Sequence, residues 1–449
     1  MQMNDEKLQL MRNEKIPRVL LKLGLPAMVG MLVSALYNVV DAYFVGGLGT
    51  SQMAAVSVAF PLGQIIIGLG MTFGSGAASY ISRLLGEDRR ERADQTASTA
   101  LFASLLTGLL CIAGALIFLD QLLIALGATA TILPYARAYG MIYITGSIFN
   151  IFNVTVNHTI TSEGAAKLTM VAMVAGGCLN VVLDPVFIYT LGYGVRGAAI
   201  ATVISQAATS LIYLWYLLAG KGALAFRIRN IAPDGEMFAE ILKIGIPGLV
   251  FQLLVSLSAG LTNMAASSYG DAAVAAMGVV TRIMTVGNYI VFGFMRGFQP
   301  VAGFNYGARR YDRLNEAVST VLKWAVWFCG IAAAMMLVFA PQMMRAFGTD
   351  PAVMEIGSKA LRINAVLFIF YGVQIVHTVL FFATGKATEG SLLSIGRQGI
   401  FFIPLIFILP AIFGLPGVWL TQPAADVLSL LLCMVLVRKQ KLSMPAVST

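Results

Sequence analysis

Charge is scarce in this sequence. Only 11% of its 449 residues are Asp, Glu, Lys or Arg, less than half the share of a typical soluble domain. A water-soluble fold of this length would need far more charge to cover its surface, so that class is excluded. Cysteine is nearly absent. Cys111, Cys178, Cys329 and Cys433 each lie in an apolar stretch and no two form a CxxC pair. There is thus no disulfide framework and no zinc spacing, and the four are expected to be small buried hydrophobes. Histidine occurs only as His158 and His377, and no Gly-x-Ser-x-Gly, HExxH or Walker pattern is present. A metal pair, an ATP-driven pump and a membrane-embedded enzyme therefore lack their constellations. The first eighteen residues are charged and polar, without a short apolar core and cleavage site. No cleaved leader is expected, and the first helix should stay in the membrane.

What the sequence has in excess is apolar residues, 58% of the chain, with a mean hydropathy of +0.82. They fall in twelve blocks, roughly 18–45, 52–82, 93–119, 132–158, 166–191, 197–219, 239–266, 273–303, 314–340, 353–382, 389–412 and 415–437. Each is long enough to cross a bilayer, which takes about 20 residues. Backbone groups cannot stay unpaired in lipid, and the blocks show no alternation, so helices are expected and an outer-membrane barrel is not.

The net charge of +9 would suit nucleic acid if it formed a patch, but it is dispersed over short loops. Lys7, Arg12, Lys15 and Arg18 precede the first block. Arg83, Arg89, Arg90 and Arg92 follow the second. Lys221, Arg227, Arg229 and Lys243 surround the link between the sixth and seventh. Arg309, Arg310 and Arg313 follow the eighth, and Arg438, Lys439 and Lys441 end the chain. The intervening loops are nearly bare, apart from Arg196 and Arg345. Alternate loops and both termini are therefore expected on the cytoplasmic side, and no nucleic acid partner is expected.

The chain also repeats itself. LKLGLP at 21–26 returns as LKIGIP at 242–247, an offset of 242 − 21 = 221 residues. The same offset pairs Gly49 with Gly270, Gly86 with Gly307, Arg89 with Arg310, Gly127 with Gly348 and Gly164 with Gly385. It slips by one to pair Gly194 with Gly414 and Gly197 with Gly417. Each half holds six helices, so both halves enter from the same side and should be related by an axis along the membrane normal. Lobes at 1–220 and 221–449 are expected, joined by a charged, glycine-containing link at 220–236, with a substrate cavity between them.

Acids inside the apolar blocks are few: Asp41 in the first, Asp184 in the fifth and Asp426 in the twelfth. A charge at the bilayer centre costs about 2.5–3.5 kcal/mol on insertion scales, so such residues usually serve a purpose. Asp41 and Asp184 lie at similar depth toward the outer side, with no Lys or Arg within four helical turns of either in its own block. Two carboxylates in one low-dielectric pocket resist joint ionisation, which suits proton uptake. With neutral oxygen ligands the pair equally suits a sodium ion. Met31, Ser34, Asn38 and Asp41 share one face of the first helix. Met173, Gly177, Asn180 and Asp184 share one face of the fifth, Asn150, Asn153 and Asn157 one face of the fourth, and Thr202 and Gln206 one of the sixth. Met31, Ser34, Asn38, Asn153 and Met173 are candidate substrate-lining residues, although small polar residues also glue helices together. Asp41 maps by the repeat to Thr262 and Asp184 to Leu405, so the second lobe lacks both acids and a cation site belongs to the first. Asp426 has Arg397 as a prospective partner in a structural ion pair, while Arg282, Arg296 and Arg362 are expected near water-accessible surfaces. Pro26, repeated as Pro247, predicts a kink and a hinge, and Pro185 follows Asp184 directly.

NVVDAYFVGGLGTSQMAAVS at 38–57, LNVVLDPVFIYTLGYGVRGAAIATVISQ at 179–206 and GFQPVAGFNYGARRYDR at 297–313 resemble signature segments of the multidrug and toxic compound extrusion (MATE) transporters, closest to the bacterial MepA-like branch. The resemblance covers nearly the whole chain. It implies an all-α integral membrane fold of twelve helices in two six-helix lobes around a V-shaped cleft. It also implies secondary active efflux of lipophilic organic cations in exchange for protons or sodium, by a monomer in a bacterial inner membrane without a cofactor. Its cation site maps onto Asp41, Asp184, Asn180, Asn157 and Thr202. The alternative is a lipid-linked oligosaccharide flippase of related architecture, which would line its cavity with Arg282, Arg296 and Arg362.

Overall fold

The computed structural model describes residues 9–232, 234–347 and 350–443. Lys7 and Gly348, used above for topology and for the repeat, lie outside these residues, as does the side chain of Lys441. Among the described residues there is no strand. The first lobe comprises α1 (Ile16–Gly46), α2 (Thr50–Gly86), α3 (Arg90–Ile117), a short helix Leu119–Ala125, α4 (Leu133–Ser162), α5 (Ala166–Pro185) and α6 (Val195–Leu218). The second comprises α7 (Gly235–Ser267), α8 (Asp271–Gly307), α9 (Tyr311–Arg345), α10 (Pro351–Val366 and Phe368–Ala383), α11 (Ala387–Ile395 and Phe402–Phe413) and α12 (Leu415–Ser443).

Ten of these helices are long and apolar enough to cross a membrane, and the two halves of α10, bent by 49° at their junction, make an eleventh. The twelfth rod, α4, falls short in apolarity because it carries Asn150, Asn153, Asn157, His158 and several hydroxyls. It is wedged between α2 and α6, so its polar face is buried in protein rather than in lipid. Hydroxyls elsewhere are satisfied within their own helices: Thr72 Oγ1 donates to Gly68 O at 2.9 Å and Ser82 Oγ to Ala78 O at 2.7 Å, the usual solution in an apolar medium.

The repeat has a backbone cause. Gly49 and Gly270 open α2 and α8 with φ of 104° and 95°, a left-handed turn that a side chain would strain. It also has a packing cause. The lobes meet through α1 and α2 against α7 and α8. A Cβ on Gly86 would strike the carbonyl of Phe304, and one on Gly307 would strike the carbonyl of Arg83. Arg83 and Phe304 are themselves one repeat apart, so the two crossings are images of each other about a pseudo-two-fold axis. At this end Arg83 is paired with Glu240 at 2.5 Å, Ser79 Oγ donates to Phe382 O at 2.5 Å, and Arg310 Nη1 donates to Arg12 O at 2.6 Å, while Arg12 is also paired with Asp88 of its own lobe at 2.6 Å. The basic loops therefore knit the lobes together at the end that carries the termini.

Two sequence expectations change. The block at 353–382 is two helices, broken at Leu367 without a Gly or Pro to mark it. α1 contains Pro26 within one continuous helix, and after Pro185 the residues Val186–Thr190 form a π turn. Proline's missing N–H leaves a carbonyl free there, which favours the wider turn. Cys329 and Cys433 are buried, but Cys111 and Cys178 are exposed on the molecular surface, where a lipid environment accepts an apolar thiol.

Candidate functional site

Parallel packing of α1 on α5 sets the depth of the two acids. A Cβ on Gly177 would lie 2.9 Å from Val33 and 3.6 Å from Tyr37. One to two turns farther along each helix stand Asp41 and Asp184, which lie within electrostatic reach of each other. Asp184 is fully buried and Asp41 is partly buried. Asn180, one turn before Asp184, donates Nδ2–H to Asp184 Oδ1 at 3.3 Å. Asp41 Oδ1, Asp184 Oδ2 and Asn180 Oδ1 are buried with no protein hydrogen-bond partner. Three buried oxygens left in this state are costly unless something positive shares them.

Thr202 reaches the same level from α6. Gly176 packs on Ser205 and Thr209, and α5 and α6 run antiparallel, so moving up α5 to Asn180 and Asp184 means moving back along α6 to Thr202. The Thr202 hydroxyl proton is committed to Ala198 O at 3.0 Å, which leaves oxygen lone pairs to face a cation. The residues therefore fit a proton or a dehydrated monovalent cation held by carboxylate, amide and hydroxyl oxygens. Tyr37, Tyr139 and Tyr143 lie within electrostatic reach of Asp41, and Tyr139 stacks on Tyr143 with centroids 5.5 Å apart. These phenols were missed in the sequence, where their signal was Tyr139 and Tyr143 at helical spacing and Tyr37 one turn before Asp41.

Asn157 is not brought to this group. Its Nδ2 donates to Tyr213 Oη at 2.8 Å and contacts Met173 Sδ at 3.4 Å, and its Oδ1 accepts from Arg296 of the second lobe at 3.1 Å. Met173 is eleven residues before Asp184 on α5, about 16 Å along a helix. Asn157 thus belongs to a separate polar cluster nearer the termini.

The proposed substrate-lining residues are also dispersed. Met31 packs on Gly293 of α8. Asn38 is exposed and bonds the carbonyl of Ser34 on its own helix at 2.6 Å. Asn153 ties α4 to Gln206 O at 2.8 Å and to Ser210 at 2.8 Å, the helix-gluing role. Met173 lies under Gly30 and Asn157. The main cavity is instead walled mostly by the second lobe, and none of Met31, Ser34, Asn38, Asn153 or Met173 lines it. Arg296 and Arg397 do. The expected pair is present: Arg397 Nε donates to Asp426 Oδ1 at 2.7 Å, Gln422 adds a bond to the same oxygen at 2.8 Å, and the guanidinium lies 4.5 Å from the Tyr371 ring centroid.

Such a fold defines a class, a polytopic membrane protein built of two similar six-helix lobes, one of which holds a group of buried acid and amide oxygens without protein partners. The chain belongs to the MatE family, whose model matches residues 26–186 and again 247–408, so the 221-residue repeat appears as two copies of one family unit. A relative, "Multidrug export protein MepA" of Staphylococcus aureus (strain MRSA252), is 29% identical over 97% of this chain and 96% of its own. A solved structure described as the outward-facing conformation of a multidrug resistance MATE family transporter of the MOP superfamily is 30% identical. It superposes with a TM-score of 0.91 over 96% of this chain and 97% of its own. Another, of a MATE protein in a bent conformation, is 30% identical with a TM-score of 0.90 over 97% of each chain. The protein is a MATE-type membrane transporter with the V-shaped two-lobe fold.

Proposed function

We propose that this protein is a secondary active multidrug exporter, driven by protons or sodium ions that enter at Asp41 and Asp184. The observation that carries the proposal is the group of buried, unpartnered oxygens on Asp41, Asn180 and Asp184, confined to one lobe. The named relative is a multidrug export protein. Lipophilic organic cations are the cargo that the family resemblance implies, and the first lobe offers them carboxylates. With the basic loops on the cytoplasmic side of a bacterial plasma membrane, the knitted end faces the cell interior and the acids lie toward the outside. Lobes of residues 1–220 and 221–449 move about one another within a single chain.

Helix α1 supplies the coupling. Its Gly30 packs on Met173 of α5, while Gly24 packs on Phe294 and Met28 on Gly293 of α8. Pro26 lies inside this strip, between Gly24 and Met28, both of which pack on α8, and one turn before Gly30, which packs on α5. Neutralising the two acids changes how α1 sits on α5, and Pro26 lets the far half follow. The ion drives the cycle only by binding the two lobe arrangements with different affinity. Of the three arginines that a flippase would place in its cavity, only Arg296 lines it. Arg362 is exposed and donates to Leu337 O at 3.1 Å, and Arg282 is exposed. That reading is not favoured.

The test is drug efflux from vesicles under an imposed pH gradient or an imposed sodium gradient, one at a time. One gradient should drive export in the wild type, and neither should drive it in Asp41→Asn. Full drug-dependent resistance in cells carrying Asp41→Asn would sink the proposal.

A further inference from the structure

The polarity of the main cavity is opposite to that of the ion site. Its lining contains two arginines, a histidine and the two amides of Gln299 and Gln374, and neither Asp nor Glu. Arg397 is neutralised by Asp426, but Arg296 has no acid within ion-pair distance among the described residues. Among the described residues, its one hydrogen bond to a protein atom runs from Nη1 to Asn157 Oδ1, and its buried Nε has no partner. Close by, His158 Nε2 is also buried and unpartnered, and Gln299 follows Arg296 by one turn on the same wall. A guanidinium held in a low-dielectric wall without a counter-charge is costly and attracts an anion. The rest of the wall is apolar, with Phe251, Phe292, Tyr371 and Phe382 prominent.

We propose that this cavity binds a single-chain amphiphilic anion, its carboxylate or phosphate head on Arg296 with His158 and Gln299, its apolar body against the aromatic wall. The exported set therefore extends beyond lipophilic cations. That last step rests on the export reading, whereas binding does not. The head also competes with Asn157 Oδ1 for the guanidinium, so an occupied cavity loosens a hydrogen bond that joins the two lobes.

The experiment measures equilibrium binding to the purified full chain in nanodiscs, without any ion gradient, so its outcome is independent of cation-driven export. Dodecyl phosphate and dodecanoate should bind saturably. Dodecyltrimethylammonium, matched in chain length and opposite in head charge, should bind at least about tenfold more weakly, and inorganic phosphate should not bind detectably. Arg296→Gln should weaken both anions by about tenfold or more, since truncating one side of a buried charge contact has effects of that size, and Arg296→Lys should recover part of the loss. Phe251→Ala keeps every charge and should weaken dodecyl phosphate more than octyl phosphate, which tests the cavity even if Arg296→Gln does not fold. Equal binding of the ammonium and phosphate probes, or anion binding untouched by Arg296→Gln, overturns the inference. Competition by phosphatidic acid in the nanodisc as strong as that by dodecyl phosphate overturns it in favour of a bilayer lipid.

Discussion

The two lobes share a fold and one repeat unit but differ in what they leave unfinished. In the first, Asp41 and Asp184 carry buried oxygens with no protein partner. At the matching positions the second has Thr262, whose hydroxyl is bonded to Ser258 O at 2.8 Å, and Leu405. Its own intramembrane acid, Asp426, is fully engaged by Arg397 and Gln422. A carboxylate with a dedicated arginine is a structural element, and one without is available to an ion. The comparison teaches that an acid in the membrane is informative chiefly through its partner.

The sharpest way to break this comparison is to neutralise each acid in turn. Asp41→Asn and Asp184→Asn are expected to reduce gradient-driven efflux to the background of membranes lacking the protein, while thermal unfolding of the purified variants stays level or rises, because a buried unpaired charge has been removed. Asp426→Asn should behave in the opposite sense. It strands Arg397, and breaking a buried pair typically costs about 3–5 kcal/mol, so its first effect is a lower unfolding midpoint. Replacing both members, Arg397→Met with Asp426→Leu, should recover most of that loss, as apolar replacement of a whole buried pair is often neutral. A stable Asp426→Asn that has lost efflux would erase the distinction between the lobes.

A smaller effect probes what the lobes have in common. Gly86→Ala and Gly307→Ala each place a methyl against the other helix's carbonyl, at Phe304 and Arg83 respectively. Overpacking of this kind costs about 1–3 kcal/mol, and the pseudo-two-fold axis predicts similar losses for both. Cysteine cross-linking across the end that carries the termini should slow in both variants. A large loss in one and none in the other would show that the axis is only approximate at the point of closest approach.

Much of this architecture was legible in the sequence. Long apolar blocks, the 221-residue repeat and the three acids led to twelve spans, two lobes and the pairing of Arg397 with Asp426. What escaped depends on which helix a given face meets. Asn157 has the spacing of an ion-site residue on α4, but its neighbours turn out to be Tyr213, Met173 and Arg296, and no periodicity within α4 reveals them. The cavity escaped for the same reason: Arg296, Gln299, Gln374 and Arg397 come from three helices whose common focus is a product of tertiary packing. The bend in α10 falls at Leu367, where neither Gly nor Pro gives notice.

The smallest expected effect concerns a bridge between the lobes that is only half-buried. Asp234 caps α7, accepting from Glu236 N at 3.3 Å, and is paired with Arg92 at the start of α3. The hydrogen bond from Arg92, then that from the cap amide, holds the Asp234 carboxyl below the usual carboxylate range. A carboxyl whose pKa is depressed by folding contributes stability that is fully present above its unfolded value of about 3.9 and is lost as pH falls through the folded value. Unfolding midpoints of the wild type and of Asp234→Asn, which keeps the capping oxygen, should therefore differ slightly near neutral pH and converge in acid. Because the pair is half-exposed at the loop end, salt should shrink the difference. The orphaned acids of the first lobe lie where salt screens little, so raised ionic strength should leave the unfolding gain of Asp41→Asn in place while it removes the effect of Asp234→Asn.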